Sequence, residues 1–166
     1  TGEGRAAMQA LLLVQPNTVP ALLGYGGMLD LLGDRRGALA AMERAVAIAP
    51  TDPDALNALG YTLTNRTRRH DDAYRLIRTA LELEPDSPAI LDSMGWVLFR
   101  LGRRDEALGF LEQALAQMAD PEIAAHLAEA LWVTGERDRA RELLDRFVDL
   151  HPDDAVLADT RERLLR

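Results

Sequence analysis

Residues 88–117 read PAILDSMGWVLFRLGRRDEALGFLEQALAQ, and this stretch decides the fold. Small and apolar residues recur in each half at spacings of three and four, namely Leu91, Met94, Gly95 and Leu98, then Ala107, Leu108, Leu111, Ala114 and Leu115. That spacing places them on one face of an α-helix. Gly102 lies between the halves. The stretch therefore predicts two helices joined by a short turn.

The same pattern recurs along the chain with a period of 33 to 35 residues. Three copies begin at Pro53, Pro88 and Pro121, and a first copy begins at Val19. Seven residues after each start comes a small residue, in the order Gly26, Gly60, Gly95 and Ala128. Small residues at such positions let two antiparallel helices approach closely. The period predicts a repeat architecture.

The residues before the prolines are typical of helix starts. Asp52, Ser87 and Asp120 are good N-caps, and proline is tolerated in the first helical turn. We predict four helix pairs, preceded by one lone helix and followed by a capping helix, in the ranges 3–14, 19–51, 53–87, 88–120, 121–154 and 155–165. Phe147 stands where the other repeats have a small residue, so packing toward the last helix should differ there.

This pattern resembles the tetratricopeptide repeat, a helix–turn–helix unit of about 34 residues. The resemblance covers nearly the whole chain and implies one all-α, right-handed helical solenoid over residues 1–166. It also implies a noncatalytic scaffold that binds a protein or peptide, with the first helix of each pair lining a concave groove. Since the chain does not begin with Met, we expect it to be a fragment of a longer protein.

The composition of the chain argues against several classes of function. The chain has 166 residues, a formal net charge of −8 and no cysteine, which argues against nucleic-acid binding and excludes disulfides. Its longest apolar run is far short of the ~20 residues that span a membrane, so no insertion is expected. Residues 24–27 (GYGG) lack the ending of a phosphate loop, and residues 66–69 suit a solvated turn. We expect no enzyme activity and no cofactor.

A candidate binding surface follows from the part of each first helix that does not face the second helix. Four of the eight aromatic residues fall there, among polar side chains. The predicted partner-binding residues are Asn57, Tyr61, Asn65, Asp92, Trp96, Phe99, Arg100, His126, Glu129 and Trp132. We expect Tyr61 and Trp96 to be exposed, whereas Phe99 and Trp132 fit exposure and packing against the next repeat equally well.

His126 has Glu122 and Glu129 at i−4 and i+3 on the same predicted helix. Such a trio could bind a metal weakly, but we favour a solvated polar face. No metal site is therefore predicted.

Four runs resemble a narrower group, namely residues 55–64 (ALNALGYTLT), the turn 65–67 (NRT), 89–97 (AILDSMGWV) and 120–127 (DPEIAAHL). They are similar to the C-terminal repeats of proteobacterial outer-membrane lipoproteins that act as adaptors for a periplasmic carboxyl-terminal processing protease. The resemblance implies a periplasmic location, anchored to the outer membrane in the full-length protein, with a cytoplasmic location as the alternative. A second reading of function is self-assembly into a homo-oligomer through the solenoid ends.

Overall fold

The computed structural model describes residues 18–166 together with Gly4, Ala6, Gln9 and Ala10. Residues 18–166 form nine helices and no strand, in the order α1 (Val19–Leu31), α2 (Arg35–Ile48), α3 (Pro53–Arg66), α4 (His70–Leu83), α5 (Pro88–Arg100), α6 (Arg104–Gln117), α7 (Pro121–Thr134), α8 (Arg137–Leu150) and α9 (Ala155–Leu165). The predicted helix over 3–14 lies largely outside the described residues. The chain divides into two compact units, Thr1–Pro85 with α1 to α4 and Asp86–Arg166 with α5 to α9.

Consecutive helices pack as pairs, α1 with α2, α3 with α4, α5 with α6 and α7 with α8. Glycine allows the close approach within a pair. A Cβ atom at Gly60 would lie 2.5 Å from Ile77 Cγ1, and one at Gly95 would lie 2.6 Å from Leu111 Cγ. The facing alanines on the second helices are fully buried, namely Ala38, Ala73, Ala107 and Ala140. The small residues are therefore the contact points that the repeat pattern predicts.

The helix ends agree with the sequence in two of three predicted caps. The Asp52 carboxylate accepts a hydrogen bond from Ala55 N at 2.8 Å, and Asp120 accepts one from Glu122 N at 2.9 Å. Ser87 stands at the predicted N-cap position of α5, but its side chain makes no capping hydrogen bond. The turn after α5 passes through Gly102 with φ +79°, a conformation that glycine adopts without strain.

The second repeat has no glycine in the turn between its two helices, and hydrogen bonds of a threonine side chain stabilise this turn instead. Helix α3 continues to Arg66, and the Thr67 hydroxyl donates to Leu63 O at 2.7 Å. The same hydroxyl accepts a hydrogen bond from Arg69 N. Arg66 is thus the last residue of α3, whereas residues 67–69 form the turn, in which Arg68 and Arg69 are exposed, so the interpretation of residues 66–69 is corrected only for Arg66.

The core of the second unit is built around α7. It gathers buried residues of α6, α7, α8 and α9, among them Leu111, Leu131, Leu144, Phe147 and Leu157. Phe147 is 2% exposed and shares this cluster with Leu157 of α9. Helix α9 packs against both α7 and α8, and α5 also contacts α7. The first helices α5 and α7 therefore lie side by side, and α9 is their next neighbour beyond α7.

Candidate functional site

The predicted binding residues of the second unit lie on α5 and α7, the first helices of two consecutive repeats. We call this surface the first-helix flank and define it by the residues Asp92, Trp96, Phe99, Arg100, Glu122, His126, Glu129 and Trp132. At its centre, His126 Nδ1 lies 2.9 Å and 3.0 Å from the two carboxylate oxygens of Asp92. The two side chains are only 10% and 9% exposed. A polar pair thus joins α5 to α7 inside the protein.

Aromatic rings surround this pair. The His126 ring stacks on the Trp96 indole, with centroids 4.2 Å apart and planes 16° from parallel. Trp96 in turn stacks on Phe99 at 5.2 Å. The Arg100 guanidinium lies 6.0 Å from the Trp96 ring centroid, within range of a cation–π attraction. The four side chains form a continuous row of contacts.

Two expectations from the sequence are wrong here. Trp96 was expected to be exposed, but it is 7% exposed, and Asp92 is 6% exposed. His126 was expected on a solvated face, but it is 8% exposed. The physical reason is that α5 and α7 contact each other along the flank, so its central positions face a neighbouring first helix rather than solvent.

Burial and charge act in opposite directions on His126. Burial lowers the pKa of the imidazole because the charged form loses its hydration. The hydrogen bond to Asp92 and the negative charges of Asp92, Glu122 and Glu129 raise it. The attraction prevails, so the pKa of His126 lies above its ordinary value. The ring therefore favours its protonated form at a higher pH than a solvated histidine does.

The remaining flank residues of the second unit are more accessible. Arg100 and Glu122 are exposed, while Phe99, Glu129 and Trp132 are half-buried. Phe99 and Trp132 both pack against the core of the second unit, and Arg137 lies 5.1 Å from the Trp132 ring centroid. The two aromatic side chains therefore combine packing with partial exposure, and each leaves part of its surface for contact.

The three predicted residues of the first unit lie on α3. Asn57, Tyr61 and Asn65 are all half-buried. Asn57 Oδ1 is buried and accepts no hydrogen bond from the described residues. Near the end of α3, Arg66 Nε donates to Asp30 Oδ1 of α1 at 2.6 Å. Tyr61, which the sequence predicts to be exposed, is therefore only partly exposed, because its side chain is half-buried on α3.

Polar pairs recur between successive first helices within each unit. They join Asp30 to Arg66, Asp92 to His126, and Glu129 to Arg163. The partners stand 36, 34 and 34 residues apart, which is about one repeat period. Sequence reasoning missed Asp30, Arg66 and Arg163 as partners. A search for opposite charges one repeat apart would have found them.

The described residues hold no cluster of three or more histidine and carboxylate side chains that could bind a metal ion. In the same part of the chain, every helix is too short or too polar to cross a membrane. What the flank does offer is a mixed surface of partly exposed rings and charged groups, which suits contact with another polypeptide.

Comparison with known proteins identifies the repeats. Two models described as "Tetratricopeptide repeat" match the chain, one over residues 1–53 and 29–90 and the other over 65–125 and 98–164. A TPR repeat-containing protein of Pseudomonas aeruginosa is 48% identical over 104 residues, or 60% of this chain. The match spans only 18% of that protein. A human protein O-mannosyl-transferase is 29% identical over 89 residues, covering 52% of this chain and 10% of its own length.

Solved structures agree with this assignment. The crystal structure of a thermophilic TPR protein from Thermus thermophilus superposes with a TM-score of 0.79 at 26% identity, covering 95% of this chain and 85% of that one. With its nine helices and no strand in residues 18–166, the chain has the all-α helical-repeat fold that the sequence predicts.

Proposed function

Because the chain belongs to the tetratricopeptide repeat family, we propose that it binds a peptide or helix of a partner protein along its first helices. TPR proteins are generally noncatalytic scaffolds, and their repeats typically bind proteins or peptides. The observation that carries the proposal is the first-helix flank. It presents exposed Arg100 and Glu122 beside half-buried Phe99 and Trp132.

The flank residues divide into two roles under this proposal. The half-buried rings of Phe99 and Trp132 supply rigid apolar area at low entropic cost, as aromatic anchors do at interfaces. Exposed Arg100 and Glu122 supply hydrogen bonds and charge that fix the register of the partner. Trp96 supports Phe99 from within the protein, since it stacks on that ring while remaining buried.

A matched pair of variants tests the flank. Arg100→Gln/Glu122→Gln removes one positive and one negative charge from the flank without changing net charge. Arg141→Gln/Glu142→Gln removes the same two charges from exposed positions on the second helix α8. In affinity captures from the source organism, we expect the flank variant to lose proteins that the α8 variant retains. Identical captures from both variants would contradict binding on the flank.

We further propose that the partner is a periplasmic carboxyl-terminal processing protease, to which the protein presents cell-wall hydrolases as an adaptor. The support is the resemblance of residues 55–67, 89–97 and 120–127 to that group of lipoproteins. The proposal also places the protein in the periplasm. Adding the chain to the purified protease and a hydrolase should accelerate hydrolase cleavage, and the flank variant should not. An unchanged cleavage rate would contradict the adaptor role of these repeats.

Self-association is the second candidate function, and one observation favours it. Leu150 at the end of α8 is 66% exposed, Val156 near the start of α9 is 47% exposed, and a cleft of about 450 Å³ lies between the two helices. Val148, Ala158 and Leu165 line this cleft. Light scattering over a range of concentrations should show a dimer, and the Leu150→Gln variant should be a monomer at the same concentrations. A monomer at every concentration would remove this candidate.

A further inference from the structure

The buried Asp92–His126 pair has a property that the binding proposal does not use. Its two partners belong to the first helices of consecutive repeats, α5 and α7. Both carboxylate oxygens lie within 3.0 Å of the same ring nitrogen, so the contact holds the two helices in one lateral position. Stacking of the ring on Trp96 leaves the imidazole little freedom to turn away.

The charges around the ring are mostly negative. Asp92 approaches from α5, and Glu122 and Glu129 lie on α7 itself. From α9, Arg163 pairs with Glu129 and also with Asp159 at 2.8 Å.

Two further charges on the neighbouring helices have partners of their own. Arg100 of α5 lies over the Trp96 ring, and Glu112 of α6 pairs with Arg139 of α8. The protonated His126 ring is the positive group that lies within hydrogen-bond distance of Asp92.

We propose that the Asp92–His126 pair is a proton-dependent tie between the third and fourth repeats, which tightens at low pH and loosens as pH rises. When the imidazolium loses a proton to solvent, the neutral ring still donates one N–H to Asp92. The charge attraction between the ring and Asp92 is lost, however, and so is the weaker attraction of the ring to Glu122 and Glu129. The tie weakens rather than breaks, and the contact between α5 and α7 becomes easier to open.

The direction of the effect on stability follows from linkage. The pKa of His126 in the folded protein is raised above its unfolded value of about 6.5. The extra stability is fully present below the unfolded value and is lost as pH rises through the folded value. Within that window, the ratio of folded to unfolded protein should fall by up to about tenfold per pH unit.

NMR of the histidine side chains tests whether His126 holds its proton to a higher pH than a solvated histidine does. The signals are simple to assign because the chain has only three histidines. In the isotopically labelled chain, we expect the His126 ring to titrate with a midpoint above the ordinary histidine value. Asp92→Asn and Glu122→Gln/Glu129→Gln should each lower that midpoint. The double variant leaves the buried pair in place, so it serves even where Asp92→Asn fails to fold. A midpoint at or below the ordinary value in the unmodified chain would overturn the proposal.

Urea unfolding between pH 6 and pH 9 tests whether the tie loosens as pH rises. The unmodified chain should lose stability across this range, whereas His126→Gln should be less stable at pH 6 and nearly independent of pH. His151→Gln is the matched control, since it removes a histidine outside the flank and should keep the pH dependence. A pH dependence that survives in His126→Gln, or is absent from the unmodified chain, would overturn the proposed tie.

Discussion

At the scale of single residues, glycines with opposite surroundings provide a direct test of helix packing. A Cβ atom at Gly95 would meet Leu111 at 2.6 Å and 2.9 Å and the Ala107 carbonyl oxygen at 3.1 Å. Nothing lies within 4 Å of a Cβ atom at Gly109 on the exposed side of α6. Overpacking costs about 1–3 kcal/mol, whereas replacing a helical glycine by alanine gains up to about 1 kcal/mol.

We therefore expect Gly95→Ala to lower the free energy of unfolding and Gly109→Ala to raise it. Urea denaturation of both variants, compared at equal m-values, measures the difference. Because both substitutions add the same methyl group to a helix, propensity cancels and packing remains. Stabilisation by Gly95→Ala as large as that by Gly109→Ala would show that α5 and α6 do not pack closely.

Individual residues also show what periodicity can predict and what it cannot. The repeat placed Asp92, Trp96 and His126 on one flank of their helices, and they do lie together there. Periodicity defines the face of a helix but not the element that covers it. Whether Trp96 meets solvent or the next first helix depends on the lateral distance between repeats. The exposure of Trp96 was therefore beyond the reach of the pattern.

At the scale of elements, α9 is held to the second unit by two kinds of contact with unequal energies. Leu157 is fully buried in the core cluster, and Thr160 is 2% exposed. Arg163, half exposed, forms ion pairs with Glu129 and Asp159. Burial of a leucine outweighs a solvent-exposed ion pair, which contributes about 0–1 kcal/mol.

Leu157→Ala should accordingly lower the free energy of unfolding by about 2–5 kcal/mol, and Arg163→Ala by less than about 1 kcal/mol. Thermal or urea unfolding followed by circular dichroism measures both. High salt should abolish most of the Arg163→Ala effect and leave that of Leu157→Ala intact. Equal losses from the two variants would mean that α9 is held by charge rather than by its apolar face.

The sequence predicted the elements better than their connections. Asp52 and Asp120 act as N-caps because their short side chains reach backbone N–H groups two or three residues ahead. Ser87 occupies the same position, but its side chain makes no capping hydrogen bond. The turn after α3 also differs, because Thr67 replaces glycine and closes the helix through its hydroxyl. Differences of this kind between single side chains do not recur with the repeat, so periodicity does not predict them.

At the scale of the whole molecule, the division into two compact units predicts that a destabilising substitution in one unit leaves the stability of the other unit largely unchanged. In repeat proteins, stability is approximately a sum of terms for each repeat and its nearest neighbours. Gly60→Ala, whose Cβ atom would lie 2.5 Å from Ile77, strains the first unit, while Leu157→Ala opens the second. Hydrogen exchange by mass spectrometry should show lost protection mainly over residues 18–85 in the first variant and 86–166 in the second. A destabilisation of about 1.4 kcal/mol corresponds to a tenfold faster exchange, so the contrast is measurable. Equal loss of protection across both ranges would instead show that the nine helices unfold as one cooperative unit. A substitution in either unit would then lower the protection of all nine helices.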